Sequence, residues 1–250
     1  MKFTWDTNKE SAAVKMKSEG FTYSKIAEIL DTTEVSVKHK IRRINQSKNQ
    51  DKYKHTKEKS EQIDKFVSGK NKKILETHAG FGSLTEKYSL FGNVYSIEMV
   101  QERVDFVNSK KLKNVECTKG DSEKEILSLL YNNKKFDVID VDPYGFPSRY
   151  FPTVFGLIDD GVLFLTFPVM GVAQINKITI EHYRVFWDIN LSDKDCYTDK
   201  IVKKLKDYAF MQKRSIEVLE IKKIDRIYRF AIKVKQESLL KIVGLEVNKK

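Results

Sequence analysis

The sequence predicts an α/β protein, a mostly parallel sheet with helices on both faces, preceded by a small all-helical module. Three observations predict it. From residue 61 onward, short apolar runs of strand length alternate with helical patterns. Residues 46–60 are polar and lysine-rich with almost no apolar content, the composition of a linker or a solvated helix. Residues 8–45 read as three short helices. On this reading the chain divides into a helical domain at 1–45, a basic linker at 46–60 and an α/β domain at 61–250.

The bulk properties agree with that division. The chain has 250 residues, enough for one catalytic domain and one small module. Its formal net charge is +11. Residues 1–60 hold 14 Lys and Arg against 8 Asp and Glu, so the first quarter carries more than half of the excess. Such a bias favours a polyanionic partner through counterion release. No apolar run approaches the roughly 20 residues of a membrane span, and the first residues contain no apolar signal core. A cytoplasmic protein is expected. The two cysteines, Cys117 and Cys196, exclude a disulfide scaffold and a zinc spacing. The four histidines, His39, His55, His78 and His182, are scattered, so no metal site is expected.

Taken in order, the first helix covers residues 8–19 and stops at Gly20, a residue suited to the end of a helix. Thr22 or Ser24 can cap the second, which carries Ile26, Ala27, Ile29 and Leu30. After the polar turn Asp31-Thr32-Thr33, a third helix places Val37, Ile41 and Ile44 on one side. Lys38, His39, Lys40, Arg42 and Arg43 crowd its other positions. A short helix, a tight turn and a basic amphipathic helix make a helix-turn-helix arrangement. The run from Gly20 to Leu30, followed by Val35-Ser36-Val37-Lys38, resembles the Myb-like and sigma-factor-like helix-turn-helix families over about forty residues. The resemblance implies DNA binding, with Lys38, Lys40, Arg42 and Arg43 as contacts. A helical module that binds protein, or merely caps the fold, is the alternative.

In the α/β domain, Lys72-Lys73-Ile74-Leu75-Glu76 reads as a buried strand running into Thr77-His78-Ala79-Gly80-Phe81-Gly82, with a helix after it. Glycines just after a first strand let the backbone turn sharply and pass close to a ligand. The run lacks the third glycine of a dinucleotide fingerprint and the Lys-Ser/Thr of a P-loop. Residues 93–98 form a second strand ending in Glu98, whose carboxylate can accept from both hydroxyls of a ribose. Residues 115–121 form a third ending in Gly120-Asp121, whose acid could meet an adenine amino group. Glu76, Glu98 and Asp121 thus close three successive strands at one edge of the sheet. Residues 70–167 resemble the class I S-adenosylmethionine-dependent methyltransferases. That resemblance implies a Rossmann-like seven-stranded sheet and S-adenosylmethionine as cofactor. It puts Glu76, His78, Gly80 and Gly82 at the methionine part, Glu98 at the ribose and Asp121 at the adenine.

A fourth strand, residues 136–141, leads into Asp142-Pro143-Tyr144-Gly145. The strand end aims the Asp142 carboxylate into the same crevice, Pro143 fixes the backbone after it, and Tyr144 offers a face for stacking a base. An exocyclic amine is a poor nucleophile because its lone pair is delocalised. A carboxylate and a main-chain carbonyl that accept its N–H bonds would localise that pair and align it. Asp142, Pro143 and Tyr144 are therefore the candidate catalytic residues. The run departs from the Asp-Pro-Pro-Tyr of DNA adenine-N6 methyltransferases. It is similar to the Asp-Pro-Tyr/Phe-Gly-x-Pro run of the tRNA guanine-N2 dimethyltransferase family, continuing here as Phe146-Pro147 before a fifth strand at 161–166. The chain is shorter than those enzymes and has a helix-turn-helix where they have none. No Pro-Cys nucleophile follows the fourth strand, which argues against thiolate chemistry on cytosine C5.

Residues 171–196, with Gln174, His182, Tyr183, Arg184 and Trp187, are an insertion that either shapes a substrate pocket or simply packs. A helix at 200–210 and an antiparallel strand pair, 215–224 and 227–235, turning at Asp225-Arg226, complete the domain. Methylation of a base amino group is expected, with DNA preferred, because a helix-turn-helix suits the B-form major groove and not the narrow groove of A-form RNA. The alternatives are a tRNA guanine-N2 methyltransferase and a DNA-binding regulator whose methyltransferase domain does no catalysis.

Overall fold

A computed structural model describes residues 4–53, 55–169 and 197–237 of the chain. They form two compact units, Met1–Lys54 and His55–Lys250.

The first unit is three helices, α1 (Thr7–Ser18), α2 (Tyr23–Ile29) and α3 (Glu34–Tyr53). Each starts on a polar side chain that accepts a backbone N–H of the first turn: Asp6 from Lys9, Thr22 from Lys25, and Thr33 from Ser36. α1 ends as the sequence predicts. Gly20, at φ 92°, lets the Phe21 amide donate to the Met16 carbonyl and the Gly20 amide to Lys17, a Schellman closure. The core is small: Ala13, Ile26, Ala27, Val37 and Ile41 are buried, with Trp5, Met16, Tyr23 and Leu30 packed around them. Trp5 Nε1, just before α1, donates to Ser36 Oγ at 3.0 Å, and the Lys40 ammonium pairs with Glu10 of α1, so α1 and the residues leading into it are each tied to α3.

The second unit begins earlier than the sequence suggests. Residues 56–60, in the stretch read as a linker or a solvated helix, are helical: α4 (Thr56–Phe66) buries Lys59, Gln62 and Ile63, at positions i, i+3 and i+4 of one face. Two of those three positions are polar, so the buried face of α4 shows no apolar residue before Ile63. Then come β1 (Lys72–Glu76), α5 (Ser83–Ser89), β2 (Gly92–Glu98), α6 (Gln101–Ser109), β3 (Val115–Lys119), α7 (Ser122–Tyr131) and β4 (Val138–Val141). The helical stretch 147–157 contains α8 (Phe151–Val154), and β5 (Asp160–Pro168) follows it. α9 (Tyr197–Met211), β6 (Arg214–Ile224) and β7 (Ile227–Gln236) close the unit.

The seven strands form one sheet in the order β3-β2-β1-β4-β5-β7-β6. The first five run parallel, and β7 lies antiparallel between β5 and β6. Side chains alternate across it, so both faces need cover. On one face Ile74, Val94, Val138 and Phe164 meet α4 and α5 through Ile63, Val67, Leu84 and Tyr88. On the other, Leu75, Ile97, Ile139 and Leu163 meet Ile126 of α7, the 147–157 stretch, and Ile201, Leu205 and Ala209 of α9. The strand order reverses between β1 and β4. Ligands of open α/β sheets bind in the crevice at such a reversal, beyond the carboxyl ends of the strands. Glu76 stands beside Asp140 in the β1–β4 register and thus at the base of that crevice. Among the described residues no helix is long and apolar enough to cross a membrane.

Candidate active site

The loop after β1 supplies one wall. Gly80 and Gly82 have φ of 56° and 74°, the left-handed region that favours glycine. Their surroundings differ. A Cβ on Gly82 would lie 2.8 Å from Val107 Cγ2, whereas one on Gly80 would meet open space. Gly82 is thus required by packing against α6, and Gly80 leaves the loop surface clear for a ligand. Glu98, buried at the end of β2, accepts from the Gly80 amide through Oε2 and from the Val100 amide through Oε1, each at 2.9 Å. Its carboxylate is therefore set in place by the loop itself, with Met99 exposed beside it.

Glu76 and His78 lie deeper. Glu76 accepts from the Thr85 and Ser96 hydroxyls through the same oxygen, joining the start of α5 to β2. Burial pushes its carboxyl up to about 7 against the pull of those hydroxyls. The His78 ring shares a hydrogen bond with Thr77 Oγ1 at 2.7 Å and another with the Tyr150 hydroxyl at 3.1 Å. Burial lowers its pKa to about 4, so the imidazole is neutral at pH 7. Asp121 stands apart from these. It is exposed and caps α7 by accepting from the Glu123 and Lys124 amides at 2.9 and 3.3 Å. The capping signal is present in the sequence, where Asp121 precedes a helical run bearing Glu123 and Glu125.

A second wall is built at the end of β4. Asp142 is paired with the Lys59 ammonium, which reaches it from α4. Burial opposes the charge on Asp142, but Lys59, with Arg229 behind it, outweighs burial and holds the carboxyl well below the usual range. Beneath lies a second, fully buried pair. Arg229 of β7 donates to Asp140 through both terminal nitrogens, at 3.1 and 2.6 Å, and to Thr166 Oγ1 at 3.0 Å. The Tyr88 hydroxyl donates to Asp140 at 2.7 Å. Pro143 is buried, and its carbonyl accepts from the Gly145 amide at 2.9 Å in a tight turn. That turn throws the Tyr144 ring fully into solvent.

The structure thus gathers Glu76, His78, Gly80, Glu98 and Asp142 around one crevice; the Asp142 charge is felt at both Glu76 and His78. Lys59, Asp140, Tyr150 and Arg229 were not legible as site residues, since each reaches the crevice through a contact distant in sequence. The insertion at 171–196 lies outside the described residues. Among those described, no cluster of His, Cys, Asp and Glu could hold a metal ion. In the first unit Lys38 and Arg42 are exposed on α3. Lys40 is not: its ammonium is turned onto Glu10 and the Trp5 ring, so it braces α1 and does not belong with the outward basic residues. The Arg43 side chain lies outside what is described.

No known protein family matches the chain, and no curated protein sequence does. Solved structures match it in fold. Trm1 from Pyrococcus horikoshii, in complex with S-adenosyl-L-methionine, aligns with a TM-score of 0.55 at 15% identity, over 70% of this chain and 53% of its own. Trm5b from Pyrococcus abyssi aligns with a TM-score of 0.51 at 15% identity, over 72% of this chain and 48% of its own. The chain spans about half the length of either. The chain therefore shares with these structures an α/β fold, its seven-stranded sheet being Rossmann-like.

Proposed function

We propose that the chain is an S-adenosylmethionine-dependent methyltransferase that acts on an exocyclic amino group of a nucleic-acid base, with DNA as its preferred substrate. One observation carries the reading: an Asp142 carboxylate paired with the Lys59 ammonium at the strand-order reversal, followed by a fully exposed tyrosine. The chain's own residues fit the cofactor. The clear surface over Gly80 admits its methionine part, and the preset Glu98 carboxylate suits ribose hydroxyls. Trm1, the neighbour with S-adenosyl-L-methionine bound, supports the same choice. Asp121 would have to serve the adenine amino group with its outer oxygen while it caps α7.

The cofactor supplies an electrophilic methyl group on a sulfonium. Asp142 accepts an N–H of the substrate amine, which localises the nitrogen lone pair and aims it. The second lone pair of the Pro143 carbonyl can accept the other N–H. Tyr144 stacks on a base taken out of its helix, which its exposure permits. Asp142 is a poor proton acceptor at its depressed pKa, so the amine's proton leaves for solvent after transfer.

The DNA preference rests on residues 1–45, which we read as a helix-turn-helix domain, with the α/β unit as the methyltransferase domain. Glu34, Val35, Lys38, His39 and Arg42 are exposed along one side of α3, a stripe suited to a major groove. A second reading, methylation of a guanine N2 in folded RNA, is favoured by the run Asp142-Pro143-Tyr144-Gly145-Phe146-Pro147 and by the Trm1 alignment. Transfer of labelled methyl to duplex DNA and to folded tRNA, followed by nucleoside mass spectrometry, decides between them. Label on neither would leave a DNA-binding regulator without catalysis. In calorimetry Glu98→Ala should weaken cofactor binding about ten- to a hundredfold, the loss expected for a charged hydrogen-bond partner. Unchanged affinity in a folded variant would remove Glu98 from the site. Lys38→Ala and Arg42→Ala should each flatten the salt dependence of DNA binding by about one unit of slope, and Lys40→Ala should not.

A further inference from the structure

We propose that Lys59 is a positioning residue for Asp142, clamping its carboxylate from α4 so that the remaining acceptor capacity faces the substrate amine. The inference rests on the reading of Asp142 as the acceptor of that amine. Lys59 occupies the buried face of α4 beside Gln62 and Ile63, with only about a tenth of its side chain exposed. Packing alone would favour an apolar residue there, because a buried ion pair usually stabilises no more than an apolar pair of the same volume. The ammonium nevertheless crosses 83 residues of sequence to end on Asp142 Oδ2.

The other groups around Asp142 cannot do this work. Arg229, from β7, spends its terminal nitrogens on Asp140 and Thr166. Thr166, from β5, offers Asp142 a neutral hydroxyl. His78 is neutral, and Glu76 is a carboxyl group whose own ionisation is opposed by the Asp142 charge. Lys59 is thus the cation that touches Asp142 among the described residues, and it fixes both the charge and the direction of the carboxylate. A carboxylate has about four acceptor sites, so one oxygen held by an ammonium leaves room for an amine.

The test uses the full chain with 13C-labelled aspartate carboxyls, Asp142 being assigned through Asp142→Asn. In wild type the Asp142 carboxyl should stay ionised throughout the acid range in which the fold survives. In Lys59→Met its titration should move up by about one to three pH units, the usual effect of losing an adjacent opposite charge. Turnover in Lys59→Met should fall at least tenfold, with the cofactor KM unchanged, an acid limb entering the kcat profile, and most activity regained in Lys59→Arg. A helix-packing role alone would move neither the titration nor the acid limb. An Asp142 titration identical in both proteins overturns the proposal, as does full turnover in Lys59→Met. Should Lys59→Met fail to fold, Lys59→Gln removes the charge and keeps a polar end. If wild type methylates no nucleic acid, the functional reading fails, while the carboxyl titration still decides the clamp.

Discussion

Glu76 ends β1 and Asp142 follows β4, the neighbouring strand, so two acids stand side by side at the same sheet edge. Both lie where burial opposes charge, yet they go opposite ways. Glu76 has only hydroxyls for partners, from Thr85 and Ser96, and its carboxyl rises to about 7. Asp142 has an ammonium, and its carboxyl falls well below the ordinary range. A neutral donor offsets part of the cost of burying charge, and a full opposite charge reverses it. One acid becomes a brace that tolerates a proton, the other a carboxylate whose charge is favoured by its ammonium partner.

The largest expected effect is on turnover. Asp142→Asn should lower kcat by about a hundred- to a thousandfold, the usual loss when one preorganised electrostatic contact is removed, and leave cofactor affinity nearly intact. Glu76→Gln, which keeps the brace, should stay within about tenfold of wild type. Equal inactivity of the two would erase the division of labour.

The pH dependence of stability comes next. Glu76 holds its proton more tightly folded, at about 7, than unfolded, near 4.5, so it favours the folded state in acid and loses that contribution as pH rises between those values. His78 works against it, because its lowered pKa of about 4 against an ordinary 6.5 makes acid destabilising across 4–6.5. The two partly cancel in the wild-type curve. The quantity to measure is therefore the unfolding free energy of wild type minus that of Glu76→Gln, by denaturant titration at several pH values. It should fall by on the order of 3 kcal/mol from pH 4.5 to 7 and then level off. A flat difference would mean that Glu76 is ionised in the fold. Asp142 has the opposite sign: its contribution is present above about 3.8, its ordinary value, and is lost only as pH drops below that.

Smaller effects sharpen the contrast. Tyr144→Ala should lower turnover by about ten- to a hundredfold if the ring stacks on a base, and Tyr144→Phe should change it little. Matching losses in steady-state assays would point to the hydroxyl instead. Thr85→Val, which removes one neutral donor from Glu76, should cost about 1 kcal/mol at pH 8 and shift the Glu76 titration further upward.

Much of this was legible along the chain. Strand-length apolar runs set the parallel strands, and their order placed Glu76, Glu98 and Asp142 at one edge, because a parallel sheet puts all its carboxyl ends together. The caps at Thr22 and Thr33, the stop at Gly20 and the turn at Asp225-Arg226 are local geometry written in residue type. Whether an acid at a strand end faces a ligand or caps the next helix was not decided by spacing: Glu98 is held by the glycine loop, Asp121 by α7. Nor could periodicity show that α4 belongs to the α/β unit, since its buried face carries Lys59 and Gln62. Lys40 read as one more outward base until packing turned it onto Glu10. The charge state of the crevice was decided only by tertiary structure. Lys59 and Arg229 meet their acids across 83 and 89 residues. Such pairs arise when α4 packs on the sheet and β7 joins it beside β5, and no repeat along the chain encodes them.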